Sequence, residues 1–174
     1  MVLVGHCCTG VALALLSMPG NAGKKRVLVT CGVFAVLANA PDIPLPGWGH
    51  DIYEVSHSFF CNFVWMLPLL LAFRVNGKWR EWVGGWRVVL TGIVVVFGHL
   101  VLDAMYNHGL GLVVWWPVSY ERIVLPVPWL DPLRQPPEFW HTLGVLGVEF
   151  LTFGPLVGLA YWWRWGRSGL SLQA

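Results

Sequence analysis

Five apolar stretches, at about residues 2–18, 27–40, 58–73, 88–106 and 142–163, take up more than half of this 174-residue chain. A hydrocarbon core of about 30 Å asks for about 20 helical residues, with about 17 as a working minimum. The last three stretches meet that length with their flanks, and the first reaches the minimum. The second is short and runs into Pro41, which breaks a helix and pushes the residue before it out of the α region. A helix that stops at membrane depth is tolerated where its end lines a polar cavity. Composition agrees with a membrane chain. Hydrophobic residues make up 56% and charged residues 11%, against about 25% charge in a soluble domain. Such a chain is not disordered, not a nucleic-acid module built on basic patches, and unlike most soluble enzymes. The net charge of +2 selects no acidic partner. Many of the 12 Trp lie at the ends of apolar runs, where an interfacial aromatic belt would place them. The expected fold is an all-α integral membrane helical bundle. It forms a single domain over 1–174, with about five transmembrane helices and no internal repeat.

Basic residues set the expected orientation. Lys24, Lys25 and Arg26 fall between the first two stretches, Arg74, Lys78, Arg80 and Arg87 between the third and fourth, and Arg164 and Arg167 after the fifth. If the spans alternate, only Arg122 and Arg134 lie on the other side. The positive-inside rule then puts the N-terminus out and the C-terminus in. The first stretch has its basic cluster behind it, the reverse of a cleavable signal, and reads as a retained anchor. Cys7, Cys8, Cys31 and Cys61 form no C-x-x-C pair and read as small buried hydrophobes. The segment 107–140 holds six Pro among aromatic and aliphatic residues. It reads as an outer loop lying on the membrane and folded over the site, as a lid or an access route.

This topology gathers all six histidines, with Asp42, Asp51, Glu54 and Asp103, in the outer half. Ionisable groups at membrane depth mark function by default. His99 and Asp103 are four apart in a helical run, so their side chains share one face and can grip one cation. Alone, the pair could equally be a hydrogen bond between helices. Asp42 could be a helix cap, His57 a ring bonded to a backbone carbonyl, and His6 a satisfied bundle histidine. Together, His6, Asp42, His57, His99 and Asp103 offer three nitrogens and two carboxylates for a divalent metal, Zn above Mn or Fe. His50, Asp51 and Glu54 are candidate proton acceptors or relays. Ser58, His108 and His141 are candidates for orienting the ligands or for a second metal. Ser56 and Ser58 flank His57, but no G-x-S-x-G elbow supports a serine nucleophile.

The ordered motifs GHCCTGVALA, APDIP, HDIYEVSHSF and GHLVLDAMYNHGLGLVVWWPVS, spanning about residues 5–120, resemble the bacterial membrane-bound metal-dependent hydrolases. These are the YdjM-like, LexA-binding inner-membrane hydrolase family. Carried over by motif, the resemblance implies roles for His6, Asp42, His57, Ser58, His99 and Asp103, followed by Gly109 or Gly111 and Trp116-Pro117. The ligand order is also similar to that of zinc phospholipase C and the fungal single-strand nucleases. It implies a helical, metal-dependent phosphoesterase-like site in a bacterial inner membrane. The chain departs from the pattern in three places. Pro44 stands where the family has a second Asp, and His50-Asp51 stands for His-Arg. Val145 occupies the acid position after His141, while Glu149 lies two turns further on, about 12 Å along a helix. One or two metals are expected rather than three.

The leading expectation is a membrane-embedded metal-dependent hydrolase of a phosphoester or lipid-like substrate in the outer half of the membrane. Its partners would be the lipid bilayer and other membrane proteins, with no nucleic acid. The alternatives are a non-catalytic membrane subunit with a degenerate site, and a haem- or pigment-binding bundle. The carboxylates argue against the last.

Overall fold

The computed structural model describes residues 3–43, 45–106, 111–125, 127–133 and 136–170, with the backbone alone for His50, Asp51 and residues 167–170. Every apolar stretch is helical. In chain order the helices are α1 (Val4–Ser17), α2 (Lys24–Leu37), α3 (Tyr53–Ser56), α4 (Phe59–Val75), α5 (Gly77–Val83), α6 (Trp86–Met105) and α7 (Phe139–Leu170). Two 3-10 turns, Ala40–Asp42 and Gly49–Ile52, lie between α2 and α3. Among the described residues there is no strand, only an isolated bridge between Leu112 and Ile123. The chain is all-α.

Length separates these helices. α6 and the Phe139–Gly166 part of α7 are long and apolar enough to cross a membrane, and α4 with α5 makes a third if that pair is one span. α1 and α2 have 14 residues each, about 21 Å at 1.5 Å per residue, short of the hydrocarbon core. α1 stops at Met18, whose extended backbone is what Pro19 requires of the residue before it. α2 ends at Leu37, three residues before the expected 27–40 limit, because the chain tightens into the 3-10 turn that carries Pro41. α5 bends 103° away from α4. Gly84 and Gly85, at φ 120° and 85°, then turn the chain into α6 with backbone angles that a side chain would oppose.

α1 is the central helix and packs against α7, α2 and α6. Small residues let it approach its neighbours closely, as membrane helices do without a hydrophobic drive between them. A Cβ at Gly10 would lie 2.6 Å from the Phe34 carbonyl oxygen of α2. Ala12, Ala14, Leu15, Phe34, Val88 and Val95 form the core here. Leu28, Val64, Leu151 and Trp162 are exposed on the outer faces, the surface that lipid would cover.

Both ends of α1 are held by distant side chains. Arg164 donates to the carbonyls of Leu15, Met18 and Pro19 at 3.2, 2.9 and 2.8 Å, and Arg87 to that of Leu16 at 2.8 Å. Leu15 and Leu16 offer carbonyls left over at the C-terminus of α1, and Met18 and Pro19 those of the turn that follows. Arg26 donates to the Glu81 carbonyl at the same end. Basic residues of α2, α6 and α7 therefore gather at one end of the bundle. At the other end, the 111–133 segment is fastened by backbone hydrogen bonds. Leu125 and Val127 donate to the last carbonyls of α6, at Ala104 and Met105, and Phe59 donates to Val114. Its own Leu112, Val113 and Leu130 are buried. The cysteines are half-buried and unbridged.

Gly10→Ala is expected to destabilise the bundle by about 1–3 kcal/mol, because backbone rather than a flexible side chain must yield. Gly32→Ala meets nothing within 4 Å and should be neutral or stabilising. Thermal unfolding of the two variants in detergent separates them.

Candidate metal centre

Five of the residues expected to bind metal meet at one end of the bundle. His6 comes from α1, Asp42 from the turn after α2, His57 from the junction of α3 and α4, and His99 and Asp103 from α6. His57 Nε2 lies 3.1 Å from Asp42 Oδ1 and 3.3 Å from Asp103 Oδ2. His99 Nε2 lies 3.5 Å from Asp103 Oδ2 and 4.0 Å from Asp42 Oδ2. One ligand atom from each of Asp42, His57, His99 and Asp103 falls within 4.8 Å of the others, and all four residues are buried. His6 Nε2 approaches the second oxygen of Asp103 at 3.3 Å, and its ring packs on His99 with centroids 4.3 Å apart.

The outer bonds of two imidazoles fix how they face the cluster. His99 Nδ1 is 2.8 Å from the Ala38 carbonyl oxygen, and His57 Nδ1 is 3.0 Å from that of Tyr53. An N–H donated to each carbonyl turns both Nε2 atoms inward; on His99 this leaves a lone pair there, and on His57 it does so once the proton shared with the aspartates is displaced, the form a metal ligand needs. His99 is 1% exposed, and its Nε2 has no hydrogen-bond partner among the described residues. Two buried carboxylates require compensating positive charge. Burial alone would favour a neutral His57, but its hydrogen bonds to Asp103 and Asp42 outweigh that and raise its pKa to about 9. Burial likewise opposes the Asp42 carboxylate, and the His57 hydrogen bond together with the charges of His99 and His57 outweighs it, holding Asp42 below its usual range. A proton on His57 supplies one positive charge. A divalent cation would supply two, matching both carboxylates, and the donor set fits such an ion.

The serines divide their work in a way that spacing did not show. Ser56 Oγ is 2.8 Å from His57 Nδ1 and donates to the Gly49 carbonyl at 3.1 Å. Ser58 caps α4, accepting from the Cys61 N–H at 3.2 Å and donating to the Val55 carbonyl at 2.8 Å. Ser56, His57 and Asp42 thus form a hydrogen-bonded chain. Ser56 is fully buried, and its hydroxyl is committed to His57 and the Gly49 carbonyl. Asn62 locks this junction, donating to the Ser56 and Ser58 carbonyls at 2.7 and 2.8 Å. Its one sequence signal is a lone amide in an apolar run.

Glu149 has a role that spacing along α7 did not reveal. Its Oε2 accepts from the Val4 and Gly5 N–H groups, both at 3.0 Å, and so caps the N-terminus of α1 one residue before His6. His141 stands apart from the cluster, lining a cavity of about 210 Å³ with Trp129, Leu130 and Glu149. Glu54 forms an ion pair with Arg122, which also donates to the Gly111 carbonyl at 3.3 Å. Beside it in α3, the Tyr53 hydroxyl donates to Asp103 Oδ2 at 3.4 Å. His108 and the side chains of His50 and Asp51 lie outside the described residues.

No family model, curated protein or solved structure matches this chain.

Two substitutions test these supports. Ser56→Ala should weaken divalent-metal affinity about 10–100-fold by releasing His57, as measured by competition with a chromophoric chelator. Glu149→Ala should cost about 1–2 kcal/mol by uncapping α1, and Glu149→Gln, which keeps an acceptor oxygen, should recover part of that in thermal unfolding.

Proposed function

We propose that this chain is a membrane-embedded, metal-dependent hydrolase of a phosphoester, with a lipid-like substrate taken from the outer leaflet of a bacterial cytoplasmic membrane. The observation that carries this reading is the buried convergence of Asp42, His57, His99 and Asp103, whose ligand atoms lie within 4.8 Å of one another. The ordered motifs similar to the YdjM-like membrane hydrolases support it. In this reading the five helices of the apolar stretches lie within the bilayer, α1 and α2 reaching only part of the way across, with the N-terminus out. The arginine-rich end of the bundle is cytoplasmic, in keeping with the positive-inside rule.

The four residues would hold zinc, or manganese or iron, with His6 on the far oxygen of Asp103. When bound, the ion supplies Lewis acidity toward a water and an ester oxygen. The chain's own residues do the rest. Ala38 and Tyr53 carbonyls keep the imidazoles turned inward, and the Tyr53 hydroxyl steadies Asp103. Glu54, half exposed beside Tyr53, is a proton acceptor, and its partner Arg122 offers a cation to an anionic substrate. His50 and Asp51 share the proton-relay assignment. The apolar exposed faces favour an amphiphilic substrate over a water-soluble one.

The burial of the cluster favours one other reading. His6 and His57 are 0% exposed and His99 is 1% exposed, as suits a structural ion in a non-catalytic subunit of a membrane complex. A haem or chlorin is disfavoured, since the carboxylates and imidazoles sit too close together for a macrocycle between them.

Mass-spectrometric metal analysis of detergent-purified protein should find one or two divalent ions per chain, absent from a folded His99→Ala/Asp103→Ala variant. The wild type should cleave phospholipid in mixed micelles, and the variant should not. A loaded wild type without turnover, co-purifying with another membrane protein at fixed stoichiometry, supports the subunit reading. No metal after supplementation sinks the catalytic reading and leaves the subunit with a degenerate site.

A further inference from the structure

At the end of the bundle away from the histidines, α2, α4, α5 and α6 enclose an apolar groove of about 290 Å³. Val29 and Val33 of α2, Leu69 and Phe73 of α4, Trp82 of α5 and Val88 of α6 are among its walls. The groove is open to the bilayer side, where Val33 and Leu69 are exposed. From Val29 to Leu37 it follows α2 for about 12 Å, the scale of a stretch of acyl chain rather than of a compact ligand.

Each element that lines the groove carries a basic residue at the same end. Lys25 and Arg26 lie one turn before Val29 and Thr30, and Arg74 follows Phe73. Lys78 and Arg80 precede Trp82, and Arg87 precedes Val88. Arg26 and Arg87 hold backbone carbonyls, and Arg80 stacks on the Trp86 ring at 5.3 Å. Lys24, Lys25, Arg74 and Lys78 are exposed at the rim. Glu81 is the only acid among these connections. α5 turns 103° from α4 and exposes Trp79 and Trp82, the side chains that settle at a headgroup boundary. An apolar slot with a cationic mouth and indole rings at its rim is complementary to one class of molecule.

We propose that this groove binds one anionic glycerophospholipid, an acyl chain lying between α2, α4 and α6 and its phosphate on the Lys25–Lys78 rim. The cationic mouth is separate from the metal centre, since Val88 and His99 are 11 residues apart on α6, about 16 Å along the helix, while the inner end of the groove at Ile93 comes within about 9 Å of it.

Native mass spectrometry of the detergent-purified chain, titrated with phosphatidylglycerol or phosphatidylcholine, tests this. One phosphatidylglycerol should be retained per chain, in preference to phosphatidylcholine. Lys25→Gln/Lys78→Gln should weaken its retention on the order of tenfold. Val33→Trp/Leu69→Trp, which fills the slot from exposed positions, should abolish it while thermal unfolding in lipid-free detergent stays unchanged. Equal retention of the two lipids, or a preference that survives both variants, overturns the proposal. So does a Trp variant that changes only the oligomeric state, which would make the groove a face for a second copy. Should the Trp variant misfold, phosphatidylglycerol with a photoreactive acyl tail decides the matter on the wild type. Labelling must fall on the α2 and α4 walls, and labelling elsewhere overturns the proposal.

Discussion

Asp103 places two oxygens where three parts of the chain meet. One oxygen faces His6 of α1. The other faces His57 at the α3–α4 junction, His99 one turn earlier on α6, and the Tyr53 hydroxyl. A buried carboxylate is costly unless its charge is met, so every element that touches Asp103 must bring a donor or share a cation. That requirement explains the surrounding construction. Backbone carbonyls of Ala38 and Tyr53 hold two imidazoles, and Asn62 holds the junction that presents one of them. Glu149 holds the start of the helix that presents the third. Polar residues in this otherwise apolar bundle are concentrated where they support this end.

The opposite end obeys a different rule. There, arginines satisfy the C-terminal carbonyls of α1 from α6 and α7, and the remaining basic residues face outward around an apolar slot. A short central helix, pinned by an acid at its N-terminus and by arginines at its C-terminus, matches its own macrodipole. Close contact at Gly10 lets the backbone of α1 pack directly against that of α2. In the proposed reading, metal chemistry and lipid contact fall to separate ends of one bundle.

The sequence carried the helical class, the approximate limits of five apolar helices, and the nearness of His99 and Asp103 to His6, Asp42 and His57. These follow from rules that act along the chain: apolar length, proline as a helix stop, and the shared face of residues four apart. His99 and Asp103 were legible for that last reason. His6, Asp42 and His57 were legible only because alternating spans bring their ends to one side, an argument that yields depth but not distance. Roles set by contact between helices were not legible. Ser56 and Ser58 are equally near His57 in sequence, and only the turn at that junction directs one hydroxyl to the ring and the other to a helix cap. Glu149 appeared too distant from His141 to assist it, and across space it serves α1 instead. The 103° bend at α5 came unannounced, since local composition marks an amphipathic helix but not its angle to its neighbour.

What the sequence by itself determined is therefore the inventory: helices, their apolar lengths, and a set of imidazoles and carboxylates whose charge must be balanced together. What the tertiary structure decided is the selection from that inventory. It brought four ligand atoms within 4.8 Å, set His141 apart, and fastened the proline-rich segment onto the last carbonyls of α6. The physical reason is that periodicity acts within one helix. Selection between helices depends on close approach, on which backbone groups are left unsatisfied at helix ends, and on which distant side chain reaches them.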